Sequence, residues 1–523
     1  MITITRVNMS RCKLTADKPR ELRWVKEYLE FYVDGAHFSE IFKKGDWDGY
    51  HRFYDKKDFF DFGLLDEVIY NMDKDELQYK IKDSYKFSRH KIIPKDLPKK
   101  LRPHQREGIN EFFKNNIGIM IVPTRGGKTF IASETIRQTL QFNENANILF
   151  VVDTVDLFKQ ATEEIAGYLG ANLEDMGYVN DKGFEPKQVT VAMIQTLTSK
   201  LYGKVSESKT VNKEKVSLSK EEIKAKNKIK NAEKRRVQKY MRQVDFLIVD
   251  EIHEYSSTKR MNVLNNCKSM NQLLGLSATP FKQVGGLIEN LKIKGFFGGI
   301  CYEVKKKRLQ DEGFLALDKI FLVSYDHSDY IRRNRIYKAE SYHDYLSQTI
   351  HHNDERNHIL TKLIKTCKKN HWKTLVIFNS KKHGYIISEE TGEMFISGDS
   401  KPTERERAKL KFLKGKGKIL LASNIYKKGI TLPEAEILIL ADGGLEGSNI
   451  TQKQGRVLGS IEGKTRAAII DIMDVGTKHF SEHSLNRLEV YGKEVPNDRL
   501  EVYMFDEFSL MTESIKEWLN EKE

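Results

Sequence analysis

Residues 117–136 constrain the fold more than any other stretch. The apolar run Ile117-Gly118-Ile119-Met120-Ile121-Val122 leads into Pro123-Thr124-Arg125-Gly126-Gly127-Lys128-Thr129 and then Phe130-Ile131-Ala132-Ser133-Glu134-Thr135-Ile136. An apolar run, a glycine-bearing turn and a helix start make one strand–turn–helix unit. Such a turn aims backbone N–H groups and the positive end of a helix at one point, where a phosphate can sit. Lys128 is placed to reach outer phosphates, and the Thr129 hydroxyl to ligate magnesium. The widespread phosphate-loop pattern has a glycine five places before Gly127, where this chain has Val122. Gly-Gly-Lys-Thr by itself also fits a solvated turn with a chance lysine, so the partner motifs decide.

The rest of the chain repeats the strand–helix alternation. Asn147–Val152, Gln188–Ile194, Phe246–Asp250 and Gln272–Ser277 read as strands, and Asp156–Leu169 reads as a helix. Continuous apolar strands separated by helices predict a parallel sheet covered on both faces. A second α/β unit follows, with strands at Thr374–Phe378, Met394–Ile396, Lys418–Ala422, Ala435–Ala441 and Ala467–Ile472 but no phosphate loop. Before the first unit, Met1–Val7 alternates like a strand and Pro19–Tyr32 has helical apolar spacing. Pro94 and Pro98 among charges mark a linker, and Lys305–Arg308 with Gly313 a second boundary. The expected domains are 1–95, 96–304, 305–480 and a helical extension, 481–523. A length of 523 residues suits three to four domains of about 150 residues.

Composition narrows the partners. The net charge is +14, which favours a polyanion such as nucleic acid. Residues 200–242 hold 15 Lys/Arg against 5 Glu. Their middle lacks Gly and Pro and reads as a helix with too few apolar residues for an ordinary core. It is either a solvated insertion or an electrostatic arm on a phosphate backbone. In Gly45–Asp55, Trp47, Tyr50 and Arg52 interleave aromatic rings with cations. This is either the core of a small hairpin or a surface for stacking bases. Cys12, Cys267, Cys301 and Cys367 are far apart, without metal-ligand spacing. No run of about 18 apolar residues predicts a membrane span, and no signal peptide is visible at Met1-Ile2-Thr3-Ile4. The expected location is the cytoplasm of a host cell.

A nucleotide hydrolase built on this loop needs acids on a neighbouring strand. Asp250 and Glu251 end the apolar strand Phe246–Val249. Asp250 is expected to hold magnesium and its water shell, and Glu251 to position and deprotonate the attacking water. Carboxylates at a strand's carboxyl end face the crevice that holds the phosphate loop. Ser277-Ala278-Thr279-Pro280 ends another apolar strand.

In this order the motifs resemble those of superfamily 2 helicases and translocases, over about residues 101–460. Arg102 and Gln105 lie where the family reads adenine, Thr124–Thr129 resembles motif I, and Asp250–His253 resembles the Asp-Glu-x-His form of motif II. Ser277–Thr279 is similar to motif III. Thr154 and Gln160 look like motif Ia, Gln195 and Thr196 like motif Ib, Asn379 and Ser380 like motif IV, and Ser423, Lys427, Lys428 and Gly429 like motif V. Gln452 and Arg456 resemble the start of motif VI. Gly45-Asp46-Trp47-Asp48-Gly49, Phe62-Gly63-Leu64-Leu65 and Leu309–Gly313 add a closer resemblance to phage UvsW-type recombination helicases.

The resemblance implies two tandem RecA-like parallel-sheet motor domains preceded by a small α/β N-terminal domain that engages DNA. It implies an ATP-dependent DNA helicase or translocase on forked, branched or Holliday-type DNA, in phage replication, recombination and repair. ATP with Mg2+ is the implied cofactor, and His253, Gln452 and Gly429 join the loop in holding it. Lys128, Asp250, Glu251 and Arg456 are the implied catalytic set, with Thr129 and Asp250 at the metal. Motifs Ia, Ib, IV and V, together with Trp47, Tyr50 and Arg52, are the implied DNA contacts. Single-strand-binding or recombination proteins are further candidate partners. Motif VI departs from the family, because Gly459 stands where a second arginine is usual. Restoring it by Gly459→Arg is expected to raise ATP hydrolysis. An RNA helicase uses the same motor, and an ATP-switched annealing or binding protein with weak hydrolysis also fits Gly459.

Overall fold

The computed structural model describes residues 1–83, 100–204, 208–211, 214–217, 219–282, 285–338, 341–423, 432–441, 447–461 and 463–521. It divides into two compact units. One comprises Met1–Val122 with Gly127–Val304, the other Lys305–Glu523 with the loop Pro123–Gly126.

The first unit is built on a sheet of eight strands among the described residues. Their order is Gly183–Glu185, Gly177–Asn180, Val189–Met193, Ile148–Val152, Phe246–Asp250, Gln272–Ser277, Ile117–Ile121 and Ile300–Glu303. All neighbours are parallel except the edge pair Gly183–Glu185 with Gly177–Asn180. Ile148–Val152, Phe246–Asp250 and Gln272–Ser277 are buried along their whole length. This is the consequence of helices on both faces, and it explains runs such as Phe-Leu-Ile-Val. Fully burying each large apolar side chain contributes about 1.5–3 kcal/mol. Leu149, Val249, Leu273 and Phe297 share one core.

The N-terminal residues form a smaller sheet in the order Phe59–Asp61, Arg11–Ala16, Ile2–Arg6 and Tyr79–Asp83. The expected helix Pro19–Tyr32 ends at Glu27, and Glu30–Tyr32 instead pairs with Tyr50–Arg52 as a two-stranded ribbon. The apolar spacing was compatible with both, and the ribbon lets Phe31 meet Phe53 edge to face. This domain is seated on the motor sheet's covering helix Leu287–Phe297. Ile288 and Leu291 pack into its core. Gly63 approaches so closely that a Cβ there would stand 1.9 Å from the Lys294 carbonyl oxygen, and Glu67 pairs with Lys294.

The second unit carries seven strands among the described residues, all parallel. Their order is Phe395–Ile396, Ile419–Ser423, Thr374–Phe378, Ile437–Leu440, Arg466–Val475, Leu317–Asp326 and Leu500–Met504. The last strand corrects the expectation of a helical extension from 481. Leu-Glu-Val-Tyr-Met alternates, suits a half-exposed edge strand and joins the sheet beside Leu317–Asp326. The helix Lys478–Glu494 runs through the expected boundary at 480, and Phe508–Asn520 buries Phe508, Met511, Ile515 and Trp518 in the same core as Val376 and Ile470.

No helix among the described residues is long and apolar enough to cross a membrane. No group of His, Cys, Asp and Glu among them has the arrangement of a metal cluster.

Candidate nucleotide and nucleic-acid site

The loop after Ile117–Ile121 turns into the helix Lys128–Phe142 through Gly127, which caps it at φ +84°. Only glycine enters that left-handed region freely. A Cβ at 127 would also stand 2.2 Å from the Gln105 side-chain amide nitrogen. Gln105 is fixed from the other side, its Oε1 accepting from the Arg102 N–H at 3.0 Å. Arg102 caps the helix Pro103–Asn115. The adenine-reading candidates are thus packed against Gly127, at the start of the helix that follows the loop, within the first unit. Val122 directly follows the strand and packs inward rather than lining a cradle. Its side chain is buried, and its N–H donates to the Ser277 carbonyl at 3.0 Å.

The acids arrive at the end of Phe246–Asp250, which the strand Gln272–Ser277 separates from Ile117–Ile121. Glu251 follows Asp250 with φ +51°, a left-handed turn that swings its carboxylate back toward the loop. Lys128 Nζ donates to Glu251 Oε1 at 2.9 Å, and both side chains are largely buried. Ser277 Oγ lies 3.4 Å from Glu251 Oε2 and 3.1 Å from His253 Nδ1. His253 Nε2 is 3.5 Å from Glu254 Oε1. Lys128, Glu251, Ser277 and His253 therefore form one chain of polar contacts from motif I to motif III.

Asp250 stands apart from that chain. Its Oδ1 accepts from the Glu251 N–H at 3.0 Å. Burial, together with the Glu251 carboxylate, pushes it up to about 7 against the pull of Lys128. A buried carboxylate without full compensation, and a Thr129 hydroxyl in the first turn of the helix after the loop, are hard-oxygen donors of the kind magnesium takes. The start of the helix at Gly127–Lys128, entered through a left-handed glycine, fits a phosphate.

The strand-contacting candidates are mostly engaged in holding the fold. Gln195 donates to Asp153 Oδ1 at 2.7 Å and to the Asp153 carbonyl. Arg260 pairs with the same carboxylate at 2.9 Å; no sequence signal marked this arginine. Thr154 caps the helix Val155–Leu169 by accepting from the Leu157 N–H, and Ser380 caps Lys381–Thr391 by accepting from the His383 N–H. Gln160 is tied to Glu164 at 2.7 Å, and Thr196 sits half-exposed on the helix Ile194–Tyr202. In the N-terminal ribbon, Arg52 is held by Asp48 and Glu30, Trp47 donates to the Tyr50 carbonyl, and Tyr50 stacks edge-on against Tyr32 while 42% exposed. The cation there is paired, so the exposed rings rather than Arg52 form the free surface.

In the second unit, Gln452 and Lys453 end the helix Gly447–Gln454, and Arg456 follows. Lys453 Nζ donates to Asn379 Oδ1 at 3.0 Å, joining motif VI to motif IV. The Leu432 N–H donates to the Arg456 carbonyl at 3.2 Å. Lys464 donates to the Pro433 carbonyl at 2.7 Å and to the Val457 carbonyl. Burial pushes Lys464 down to about 7. Ser423 ends its strand as a buried residue, while Lys427, Lys428 and Gly429 lie outside the described residues. Gly459 bridges to Leu315, and a Cβ there would stand 2.9 Å from the Pro433 Cβ. The missing arginine is thus built into the packing, and the expected gain from Gly459→Arg is opposed by this clash.

Three family models match separate stretches of the chain. Residues 2–83 match the family described as DNA helicase UvsW, N-terminal; residues 98–282 match Type III restriction enzyme, res subunit; and residues 355–458 match Helicase conserved C-terminal domain. The ATP-dependent DNA helicase uvsW of Enterobacteria phage T4 is 24% identical, over 94% of this chain and 95% of that protein. The DNA 3'-5' translocase XPB2 of Sulfurisphaera tokodaii is 22% identical, over 73% of this chain and 83% of that protein. Among solved structures, S. cerevisiae Dbp5 bound to RNA and ADP BeF3 is 15% identical, with a TM-score of 0.51 over 80% of this chain and 93% of that one. That last likeness is one of fold.

Proposed function

We propose that this chain, a UvsW-like superfamily 2 helicase, is an ATP-dependent DNA motor of phage recombination and repair that acts on branched DNA. The reading rests most on the Lys128–Glu251 pair at 2.9 Å beside the buried Asp250, at the strand ends next to the phosphate loop. The surplus of +14 and the UvsW-type N-terminal domain support DNA as the track.

The chain's own groups supply the steps. The helix start at Gly127–Lys128 and the Lys128 ammonium hold the phosphates of ATP, and Gln105 with Arg102 reads its base. Asp250 and Thr129 hold Mg2+, which when bound neutralises charge on the phosphates. Glu251 leaves Lys128 for the attacking water, orients it and accepts its proton. His253 and Ser277 keep Glu251 in place and pass its state to motif III. Arg456 is the cation proposed to stabilise charge that develops on the transferred phosphate.

The test is ATP hydrolysis and strand unwinding on forked DNA, a Holliday junction, single-stranded DNA and an RNA duplex. The reading predicts the strongest stimulation by branched DNA and loss of unwinding in Lys128→Ala. Full strand remodelling by Lys128→Ala would make the protein an ATP-switched binder, and equal stimulation by the RNA duplex would remove the DNA assignment.

A further inference from the structure

The cationic insertion raises a question that the nucleotide site leaves unanswered. The helix Lys220–Met241 has 22 residues, about 33 Å of length at 1.5 Å per residue. Ser219 and Glu222 close its first turn as a capping box. Only Val237, Tyr240 and Met241 are buried, in the core of the first unit. The rest is not held by apolar packing, yet it is not loose. Glu233 pairs with Lys200, and Lys230 Nζ donates to the Lys204 carbonyl at 3.0 Å. These contacts lay the helix along Ile194–Tyr202.

Between the two helices runs a groove of about 610 Å³. Lys226, Ile229 and Lys230 form one wall, and Lys200 with Lys204 forms the other. Thr196 and Ser199 line the same groove with hydroxyls. Glu233 and Asp181 also reach it, the first already neutralised by Lys200. Residues 226, 229, 230 and 233 recur at helical spacing, so they share one face. Lys224 and Lys228 fall on the opposite face and do not line the groove. Ile229 is 70% exposed, an apolar side chain set among lysines on a solvated helix. A solvated charged helix needs no such residue at its groove-facing position.

We infer that this groove is a binding site for a single DNA strand, its phosphates held by Lys204, Lys226 and Lys230 and its bases resting against Ile229. Alternating ammonium groups and hydroxyls suit a phosphate backbone, while an exposed aliphatic face accepts any base without reading it. The inference rests on the proposed DNA motor and adds a second grip outside the nucleotide-binding strand ends.

The test compares two charge-matched double variants, Lys226→Gln/Lys230→Gln and Lys224→Gln/Lys228→Gln, in the full chain. Equilibrium binding of an oligothymidylate of about 20 nucleotides is followed across salt concentrations without ATP. Losing two phosphate contacts lowers the slope of log K against log salt by about 1.4 for the groove pair. The opposite-face pair is expected to change it by less than half of that. ATP hydrolysis without DNA stays at the wild-type level in both, because neither pair touches the phosphate loop. Equal effects of the two pairs, or an unchanged slope in the groove pair, would overturn the inference. Wild-type protein that binds the strand with the predicted salt behaviour but shows no DNA-stimulated hydrolysis would overturn the motor reading and leave the groove standing.

Discussion

Each of the two large sheets carries a buried aspartate at or next to the carboxyl end of an inner strand, and the two aspartates are treated in opposite ways. Asp250 has a like charge, Glu251, as its neighbour, and the nearby Lys128 is committed to Glu251. Asp474 is gripped by Arg356 through Nε at 2.7 Å and Nη2 at 3.0 Å, and His327 Nε2 adds a third contact at 2.8 Å. Asp250 is pushed up to about 7; Asp474 is held far below the usual carboxylate range by Arg356 and His327, despite its burial. One sheet leaves its acid undercompensated and able to take a cation. The other spends the same residue type on fixing Arg356, which also donates to the Ala441 carbonyl and ties helix Asp354–Lys369 to the strands. The same architecture thus separates chemistry from cohesion by the choice of partner.

The largest expected effect is on the chemical side of this comparison. Glu251→Gln keeps the shape of the Lys128–Glu251–Ser277 chain but removes the proposed base. DNA-stimulated hydrolysis should fall by about 10²–10⁴-fold, with ATP binding retained, as read by single-turnover kinetics and a nucleotide-binding assay. Retained turnover would mean that another group takes the water's proton.

On the cohesive side, Arg356→Met leaves the Asp474 carboxylate buried beside an apolar side chain. A loss of about 3–5 kcal/mol is expected in denaturant unfolding of the second unit. Adding Asp474→Leu should recover most of it, since paired charges and well-packed apolar groups are close in net stability. No recovery would show that Arg356 acts through the Ala441 carbonyl instead.

A smaller effect attaches to Lys464. In the unfolded chain its ammonium persists to about 10.5, but in the fold only to about 7. Between those values the unfolded state binds more protons, so the second unit gains stability as pH rises from about 7 to about 10. Below about 7 the cost of burying the charge is fully present. Lys464→Met should flatten this profile in thermal unfolding, while also loosening the Pro433 and Val457 carbonyls that it holds. An unchanged profile would mean that the lysine stays charged.

Much of the first unit was legible in the sequence because its chemistry is local. The phosphate loop is eight consecutive residues, the acids are adjacent, and the apolar strands carrying them are continuous. The basic helix was legible from composition, since 220–241 lacks breakers and apolar spacing. What stayed hidden depends on contacts distant in sequence. The Arg356–Asp474 pair spans 118 residues, and neither residue type is unusual at its position. Gln195 reads as a strand-contacting glutamine, yet it turns onto Asp153 because Asp153 is buried and needs donors. The strand Leu500–Met504 was lost among charges, although its alternation was visible. Gly459 was legible as a departure from the family, but Pro433 as its reason was not.

The contrast between the two aspartates is tested most directly by unit-resolved thermal unfolding of Asp250→Asn and Asp474→Asn, at about pH 8 without divalent cations or nucleotide. In the fold, Asp250 binds its proton up to about 7 rather than the ordinary 3.8. Stability therefore falls as pH rises through that window, and the penalty is complete at pH 8. Asp474 behaves in the opposite sense, contributing stability at every pH above the usual carboxylate range. The account predicts that Asp250→Asn raises the unfolding temperature of the first unit while abolishing hydrolysis, and that Asp474→Asn lowers that of the second. A first unit destabilised by Asp250→Asn would contradict it.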